Sequence, residues 1–285
     1  MRGYFVHRPS PPLAGVVDYF WSLNDVPSHS KELIIPSGTL ELVVIPHEDV
    51  AVVSGAYSRA FVVETRVHAS IVGVHFKPGG AASLLGVPAG ELANTHVELE
   101  ALWGRRSAEL RDRICAEAQP SQRFRILEQA LLGSLPRSPG VRGEVAVALG
   151  RLGAPGVEVG DVARQVQLSH RRFIELFTEQ VGMTPKRYAR VQRLQRALRL
   201  VTAQGAPAWT HVALDCGYFD QAHLCRDWVE FTGFSPAEFL RLRNVPVKDN
   251  HVALPESPRS NLSNTPSLAA LTLHANGGRN ASRQT

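Results

Sequence analysis

His170, Arg171 and Glu175 fall in one ten-residue stretch, Leu168 to Phe177, together with Phe173, Leu176 and Phe177. At helical spacing the last three face a core, and the polar three point outward with Ile174. An imidazole, a guanidinium and a carboxylate along one helix face are groups of the kind that hydrogen-bond base edges in a DNA major groove. Ser169 can start this helix, because its hydroxyl can accept from a first-turn amide that otherwise lacks a partner. Upstream, Val159 to Val166 reads as another short helix, joined through a turn at Gln167-Leu168. Helix, tight turn and second helix with outward polar residues is the helix-turn-helix layout. Two short amphipathic helices also occur in many domains that bind no nucleic acid, so this stretch alone decides nothing.

The remaining chemistry-bearing residues suggest no reaction. His7, His29, His47, His68, His75 and His96 show neither HxH nor HxxxH spacing, and no carboxylate accompanies them in a ligand pattern. GxSxG, a phosphate-cradling glycine loop and a catalytic cysteine signature are all missing. Cys115, Cys216 and Cys225 are odd in number and form no CxxC pair, so buried reduced thiols are expected. No enzyme activity, metal or cofactor is therefore expected. No apolar run approaches the ~18 residues of a membrane span. Met1 to Phe5 opens no apolar signal region. A cytoplasmic protein with no membrane partner is the expectation.

The net charge of +5 is unevenly placed. Residues 1–156 carry 15 Lys/Arg against 15 Asp/Glu, and residues 157–243 carry 12 against 9. The basic excess thus lies where the helix-turn-helix lies, which favours a nucleic-acid partner, although an ordinary solvated surface fits it too.

The elements ahead of it begin with β structure. Glu32 to Ile35 and Thr39 to Ile45 flank a Pro36-Ser37-Gly38 turn, and Val50–Val53, Ala60–Thr65 and Ser70–Phe76 are further strands. After Lys77-Pro78-Gly79-Gly80 the pattern turns helical, with amphipathic helices over Ser107–Ala118 and Ser121–Leu132. In the latter, Phe124, Leu127, Leu131 and Leu132 share one face, and Arg123, Arg125 and Glu128 lie outside. Strands followed by helices predict an α+β N-terminal domain, a small β sheet or barrel followed by helices. The C-terminal domain is predicted all-α, with two helix-turn-helix units joined by a long helix. The expected boundaries are 1–132 for a sensor or dimerisation domain, 133–142 for a linker, 143–243 for the helix-turn-helix pair and 244–285 for a disordered tail. A short helix at Ser267 to Leu271 is conceivable from composition alone.

The second unit is legible as an internal duplication. Phe177 to Pro185 answers Trp228 to Pro236 at an offset of 51 residues, which extends to Tyr188/Phe239 and Arg190/Arg241. Val162-Ala163 answers Val212-Ala213 at an offset of 50, so one residue is added in the second turn, Cys216-Gly217-Tyr218-Phe219. Asp220 then caps a helix on which Leu224 and Trp228 face inward and Gln221, Ala222, Cys225 and Arg226 face out. Gly182 and Gly233 each stop a helix, and Thr184-Pro185 and Ser235-Pro236 each start the next. Ser235 to Glu238 is also a capping box. Caps, stops and core aromatics repeating in register are not expected of unrelated helical hairpins.

Between the units, Pro185 to about Ala203 is a helix of roughly 28 Å at ~1.5 Å per residue. That is near the ~34 Å between successive major-groove segments on one side of B-DNA. Val191, Leu194, Leu198 and Val201 form its apolar face. Lys186, Arg193, Arg196 and Arg199 point away from that face and Arg190 borders it, a basic surface that either touches phosphates or is solvated.

Gly217-Tyr218, Asp220-Gln221, His223, Arg226, Gly233 and Ser235 to Phe239 resemble the DNA-binding domain of the AraC/XylS family of bacterial transcription regulators, over about residues 143–243. Pro11-Pro12-Leu13, Tyr19-Phe20-Trp21, Pro36 to Leu42 and Val53-Ser54-Gly55 resemble a poorly characterised sensor-like module found ahead of such pairs. The resemblance implies a sequence-specific DNA-binding regulator with two recognition helices in adjacent major-groove segments. It implies base readers at Arg171, Ile174 and Glu175, and at Gln221, Ala222, Cys225 and Arg226. Arg171 and Arg226 suit guanine, Gln221 adenine and Glu175 the cytosine amino group, whereas Ile174 either packs on a thymine methyl or contributes nothing. Ser169 and Arg172 are expected at phosphates, as are Arg190 and Arg193 if the connector's basic surface meets the backbone. The implied partner is double-stranded DNA, with RNA polymerase, a small-molecule effector and a second copy as further candidates. Two other readings stay open, an enzyme acting through the N-terminal domain and a protein-interaction module without DNA binding.

Overall fold

Apolar residues alternate along most N-terminal strands, and the alternation divides them between two cores. The strands are β1 (Gly3–His7), β2 (Val17–Asn24), β3 (Lys31–Ile34), β4 (Glu41–Ile45), β5 (Val50–Ser54), β6 (Phe61–Glu64), β7 (Ser70–Phe76), β8 (His96–Glu98) and β9 (His251–Leu254). The structure, a computed structural model, describes residues 3–24, 31–64, 70–135, 140–204, 208–242 and 250–254. Six strands form an antiparallel sheet in the order β1-β2-β7-β4-β5-β8, and β6-β3-β9 form a second one. Phe20, Leu42, Val44, Val53, Val72 and Val74 point into the principal core. Trp21, Val43, Ile45, Val50 and Val52 point to the opposite face and form a separate cluster. Gly73 pairs with Trp21 across β2 and β7, and a β-carbon there would lie 2.5 Å from the indole ring. The expected small sheet or barrel is thus a pair of open sheets, because β3 and β4, on either side of the Pro36–Gly38 turn, join different sheets.

Helices α1 (Ala81–Leu85), α2 (Leu99–Trp103), α3 (Arg105–Cys115) and α4 (Pro120–Leu132) follow β7, with β8 between α1 and α2. Helix α4 covers the large sheet at β1, β2 and β7, and the rings of Phe20 and Phe124 are 6.4 Å apart. Two side chains depart from expectation here. Arg123 is buried rather than outward, donating to the Glu117 carbonyl (2.8 Å) and to Ser70 Oγ. Cys115 is exposed rather than buried, with its thiol directed at the Pro46 carbonyl. Isolated helical periodicity cannot anticipate a guanidinium recruited to satisfy a carbonyl, nor a thiol at a helix end.

The helical remainder comprises α5 (Gly143–Leu152), α6 (Val159–Gln165), α7 (His170–Val181), α8 (Pro185–Gln204), α9 (Trp209–Asp215), α10 (Gln221–Thr232) and α11 (Pro236–Leu242). One continuous apolar core runs from Leu13 in the N-terminal part to Phe239 in α11.

The tail holds a correction. Residues 250–254 lie in the segment expected to be disordered, yet β9 pairs with β3 in register, Leu33 opposite Val252. Val252 and Leu254 are buried, Asn250 donates to the Ile35 carbonyl (3.1 Å), and His251 sits 2.9 Å from Glu32. Composition marked the tail as polar, but two apolar residues at strand spacing suffice when an unpaired strand edge awaits them. The Ser267–Leu271 helix and the middle of the linker, 136–139, lie outside the described residues.

Candidate nucleic-acid interface

The duplication is realised atom by atom. In the first unit the Leu168 amide donates to the Ala163 carbonyl at 3.1 Å; in the second, Tyr218 donates to Ala213 at 2.9 Å. Both turns pass through a left-handed residue, Gln167 (φ 58°) and Gly217 (φ 78°). Glycine carries that φ without side-chain strain, whereas Gln167 does not have that freedom. The second helix of each unit is capped from the preceding residue. Ser169 Oγ accepts from Arg172 N at 3.3 Å, and Asp220 Oδ1 accepts from His223 N at 2.6 Å. Leu168 matches Tyr218 at an offset of 50 and Ser169 matches Asp220 at 51, so the added residue is Phe219, which is 88% exposed.

Each unit then closes on an edge-to-face aromatic pair, Phe177 with Tyr188 (5.5 Å between centroids) and Trp228 with Phe239 (5.4 Å). Gly182 (φ 86°) and Gly233 (φ 79°) end α7 and α10 in the left-handed region, where a side chain would be strained. The expected capping box forms, with Glu238 Oε2 accepting from Ser235 N (2.8 Å) and Ser235 Oγ from Glu238 N (3.3 Å).

The candidate readers lie on the outward faces of α7 and α10. Arg171 and Glu175 are exposed and paired with each other (Nε to Oε1, 2.9 Å), and Arg172 is 3.6 Å from the same carboxylate. Ile174 is half-buried, Cys225 is half-buried against the core, and Gln221, Ala222 and Arg226 are exposed. Thr210 Oγ1 donates to Gln221 Oε1 at 3.3 Å. Arg226 has no ion-pair partner among the described residues. Of the candidate phosphate contacts, Ser169 and Arg172 remain at the exposed start of α7.

Arg190 and Arg193 are engaged elsewhere. Arg190 Nη2 reaches Asp227 Oδ1 at 2.7 Å and also bonds Glu230, and its guanidinium lies 5.1 Å from the Phe231 ring centre. Arg193 lies over Tyr218, near the Gly217 carbonyl (3.4 Å) and Asp227 (3.8 Å). Arg196 donates to the Cys216 carbonyl at 3.0 Å. The basic face of α8 is therefore not wholly given to solvent. It binds α8 to α10 and to the carbonyls that end α9, because the buried Asp227 carboxylate requires a cation and a helix C-terminus favours one. Partial burial pushes the Glu230 carboxyl up, but bonds and charge from Arg190 and Arg187 outweigh this and hold it at about 2.

The N-terminal part meets this assembly along α8. Gln192 donates to the Ser37 carbonyl (3.0 Å), Gln195 to the Pro36 carbonyl (2.6 Å) and Arg187 to the Ser58 carbonyl. Ala60 N donates to the Phe231 carbonyl at 2.7 Å. The 3-10 turn Ala89–Leu92 rests on the last turns of α7. A β-carbon on Gly90 would lie 3.3 Å from the Thr178 carbonyl, and one on Gly182 would lie 3.0 Å from that of Ala89. Sequence reasoning missed Val229, which is 46% exposed on α10 at the position equivalent to Thr178. Its spacing, three after Arg226 and seven after Ala222, was the available signal.

Two histidines have close polar partners. His75 lies 2.9 Å from Glu41 and stacks on Tyr19, and His96 lies 3.0 Å from the Tyr57 hydroxyl. Burial lowers the His96 pKa to about 4.

Residues 162–242 match a family described as Helix-turn-helix domain. Residues 6–98 match one described as Domain of unknown function (DUF6597). Over 82 residues the chain is 33% identical to the arabinose operon regulatory protein of Escherichia coli K12, covering 29% of this chain and 28% of that protein. The C-terminal region is a helix-turn-helix domain. Over 81 residues the chain is also 30% identical to an uncharacterized HTH-type transcriptional regulator of Haemophilus influenzae, covering 28% of this chain and 27% of the relative. The matches thus span under a third of either relative's length. Among solved structures, the DNA-binding domain of AdpA in complex with a target DNA aligns with 34% of this chain and 86% of its own, at 26% identity and a TM-score of 0.31. ToxT of Vibrio cholerae aligns with 84% of this chain and 96% of its own, at 11% identity and a TM-score of 0.38.

Proposed function

We propose that this chain is a sequence-specific DNA-binding transcription regulator, in which α7 and α10 read adjacent major-groove segments. The observation that carries the reading is the matched pair of capped, outward-facing helices held by one connector. A pair fixed in this way can present two recognition helices to one side of a duplex, with α8 at 20 residues spanning roughly 30 Å. Arg171, Glu175, Gln221 and Arg226 supply groups for base edges, and Ser169 and Arg172 supply backbone contacts. Arg190 and Arg193 serve the geometry of the pair rather than the phosphates.

The N-terminal part is the place for control. Its loop carbonyls hold Gln192 and Gln195 of the connector, so a ligand that favours one arrangement of this contact would alter how the helices are presented. A small-molecule effector, a second copy and RNA polymerase are the further partners of this reading. Location at the nucleoid follows from DNA binding, and no reaction is assigned.

Selection of bound fragments from genomic DNA by the purified chain tests the proposal. Enrichment of a common sequence is expected, with affinity falling steeply as salt rises. Equal affinity for enriched and random fragments would overturn it.

A further inference from the structure

The two recognition helices present different chemistry at equivalent positions. Arg171, Ile174 and Thr178 of α7 correspond to Ala222, Cys225 and Val229 of α10. On α10 these three fall at i, i+3 and i+7 and make one stripe along the outward face. Ala222 is exposed, Cys225 is half-buried and Val229 is 46% exposed. Gln221 and Arg226 flank the stripe. Phe219, the residue that the first unit lacks, adds exposed apolar surface just before the Asp220 cap. On α7 the equivalent third turn is not free, because the Ala89–Leu92 turn of the N-terminal part rests against Thr178.

We infer that the second unit selects its DNA segment through thymine 5-methyl groups packed against Ala222, Cys225 and Val229. The inference rests on the DNA-binding reading above. Among base edges in the major groove, the apolar feature is the thymine methyl, whereas guanine, adenine and cytosine present donors and acceptors. Apolar side chains on a reading face gain nothing from those groups, and they desolvate them at a cost. Burial raises the pKa of the Cys225 thiol, so the stripe carries no thiolate to repel the backbone. Arg226, which has no ion-pair partner among the described residues, supplies the positive charge that brings a duplex rather than an apolar protein surface to this face. Thymine contact also explains why Ala222 and Cys225, weak readers by hydrogen bonding, occupy the centre of the face.

Selected fragments are resynthesised with each thymine in turn replaced by deoxyuridine, which removes only the methyl, and affinity for the full chain is measured. Two or three neighbouring thymines are expected to be sensitive, each replacement weakening binding about fourfold for one buried methyl. In Val229→Ala, the loss at one of these positions should shrink toward none, while the others keep theirs. Undiminished affinity at every deoxyuridine position overturns the inference, and so does a pattern of losses identical in the wild type and Val229→Ala. If no fragment is preferred over random DNA, the regulator reading itself fails and this inference with it. If fragments are preferred but methyl-insensitive, that reading stands and only the thymine assignment falls.

Discussion

Arg190 of the connector helix and Asp227 of the second recognition helix meet at 2.7 Å, with the carboxylate only 4% exposed. This pair fixes α10 against α8. Asp227→Ala leaves a half-buried guanidinium without its deepest partner, and breaking such a pair typically costs ~3 kcal/mol or more. Denaturant unfolding should show a loss of that size. An effect under ~0.5 kcal/mol would mean that the pair is no more than a surface contact.

Glu230 couples the same ion cluster to pH. Its carboxyl lies at about 2 against an ordinary 4.5, so the stabilisation is fully present above the ordinary value. As pH falls from 4.5 through 2 the folded state loses it, since the unfolded chain takes up the proton first. With the side chain 35% exposed, about 1 kcal/mol is expected after solvent screening. Thermal unfolding between pH 5 and 2 should be less steeply pH-dependent in Glu230→Gln than in the parent chain.

On the proposed DNA-binding reading, Arg226 is the candidate hydrogen-bonding reader that has no ion-pair partner among the described residues. Arg226→Ala should relax preference at one base position at a cost of roughly 1–3 kcal/mol on the selected site, with little change on random DNA. Competition binding against single-base variants of the site measures this. Arg171→Ala is expected to cost less, because Arg171 must first leave Glu175 (2.9 Å).

Strand β9 closes the β3 edge. A chain ending at residue 249 loses buried Val252 and Leu254, worth roughly 3 kcal/mol together at ~1.5 kcal/mol or more per side chain. It also exposes the pairing edge of β3, so lower thermal stability and a greater tendency to aggregate are expected. Light scattering during a thermal ramp reports both.

Much of this architecture was legible because local rules repeat. Ser169, Asp220, Gly182, Gly233 and the Ser235–Glu238 box are local signals, and all act where spacing put them. The exposure of Arg171, Glu175, Gln221 and Arg226 followed from helical period, whereas that of Arg123 did not. What the sequence hid depends on partners far along the chain. Arg190, Arg193 and Arg196 looked like a free basic face because their acceptors, Asp227 and the carbonyls at Cys216 and Gly217, lie 20 to 37 residues away. Strand β9 was hidden because its partner β3 lies more than 200 residues away. The exposure of Val229 is not legible in the repeat, which compares residue identity. The added residue was visible as an offset of 50 becoming 51, but only paired hydrogen bonds identify it as Phe219.

The central claim is that one chain holds two reading helices to adjacent segments of a duplex. Chemical footprinting of the full chain on a selected fragment tests it most directly. Two protected major-groove patches on one face, about one helical turn or ~34 Å apart, are the predicted result, with Arg226→Ala weakening one patch selectively. A single patch, or protection without sequence preference, would contradict the account.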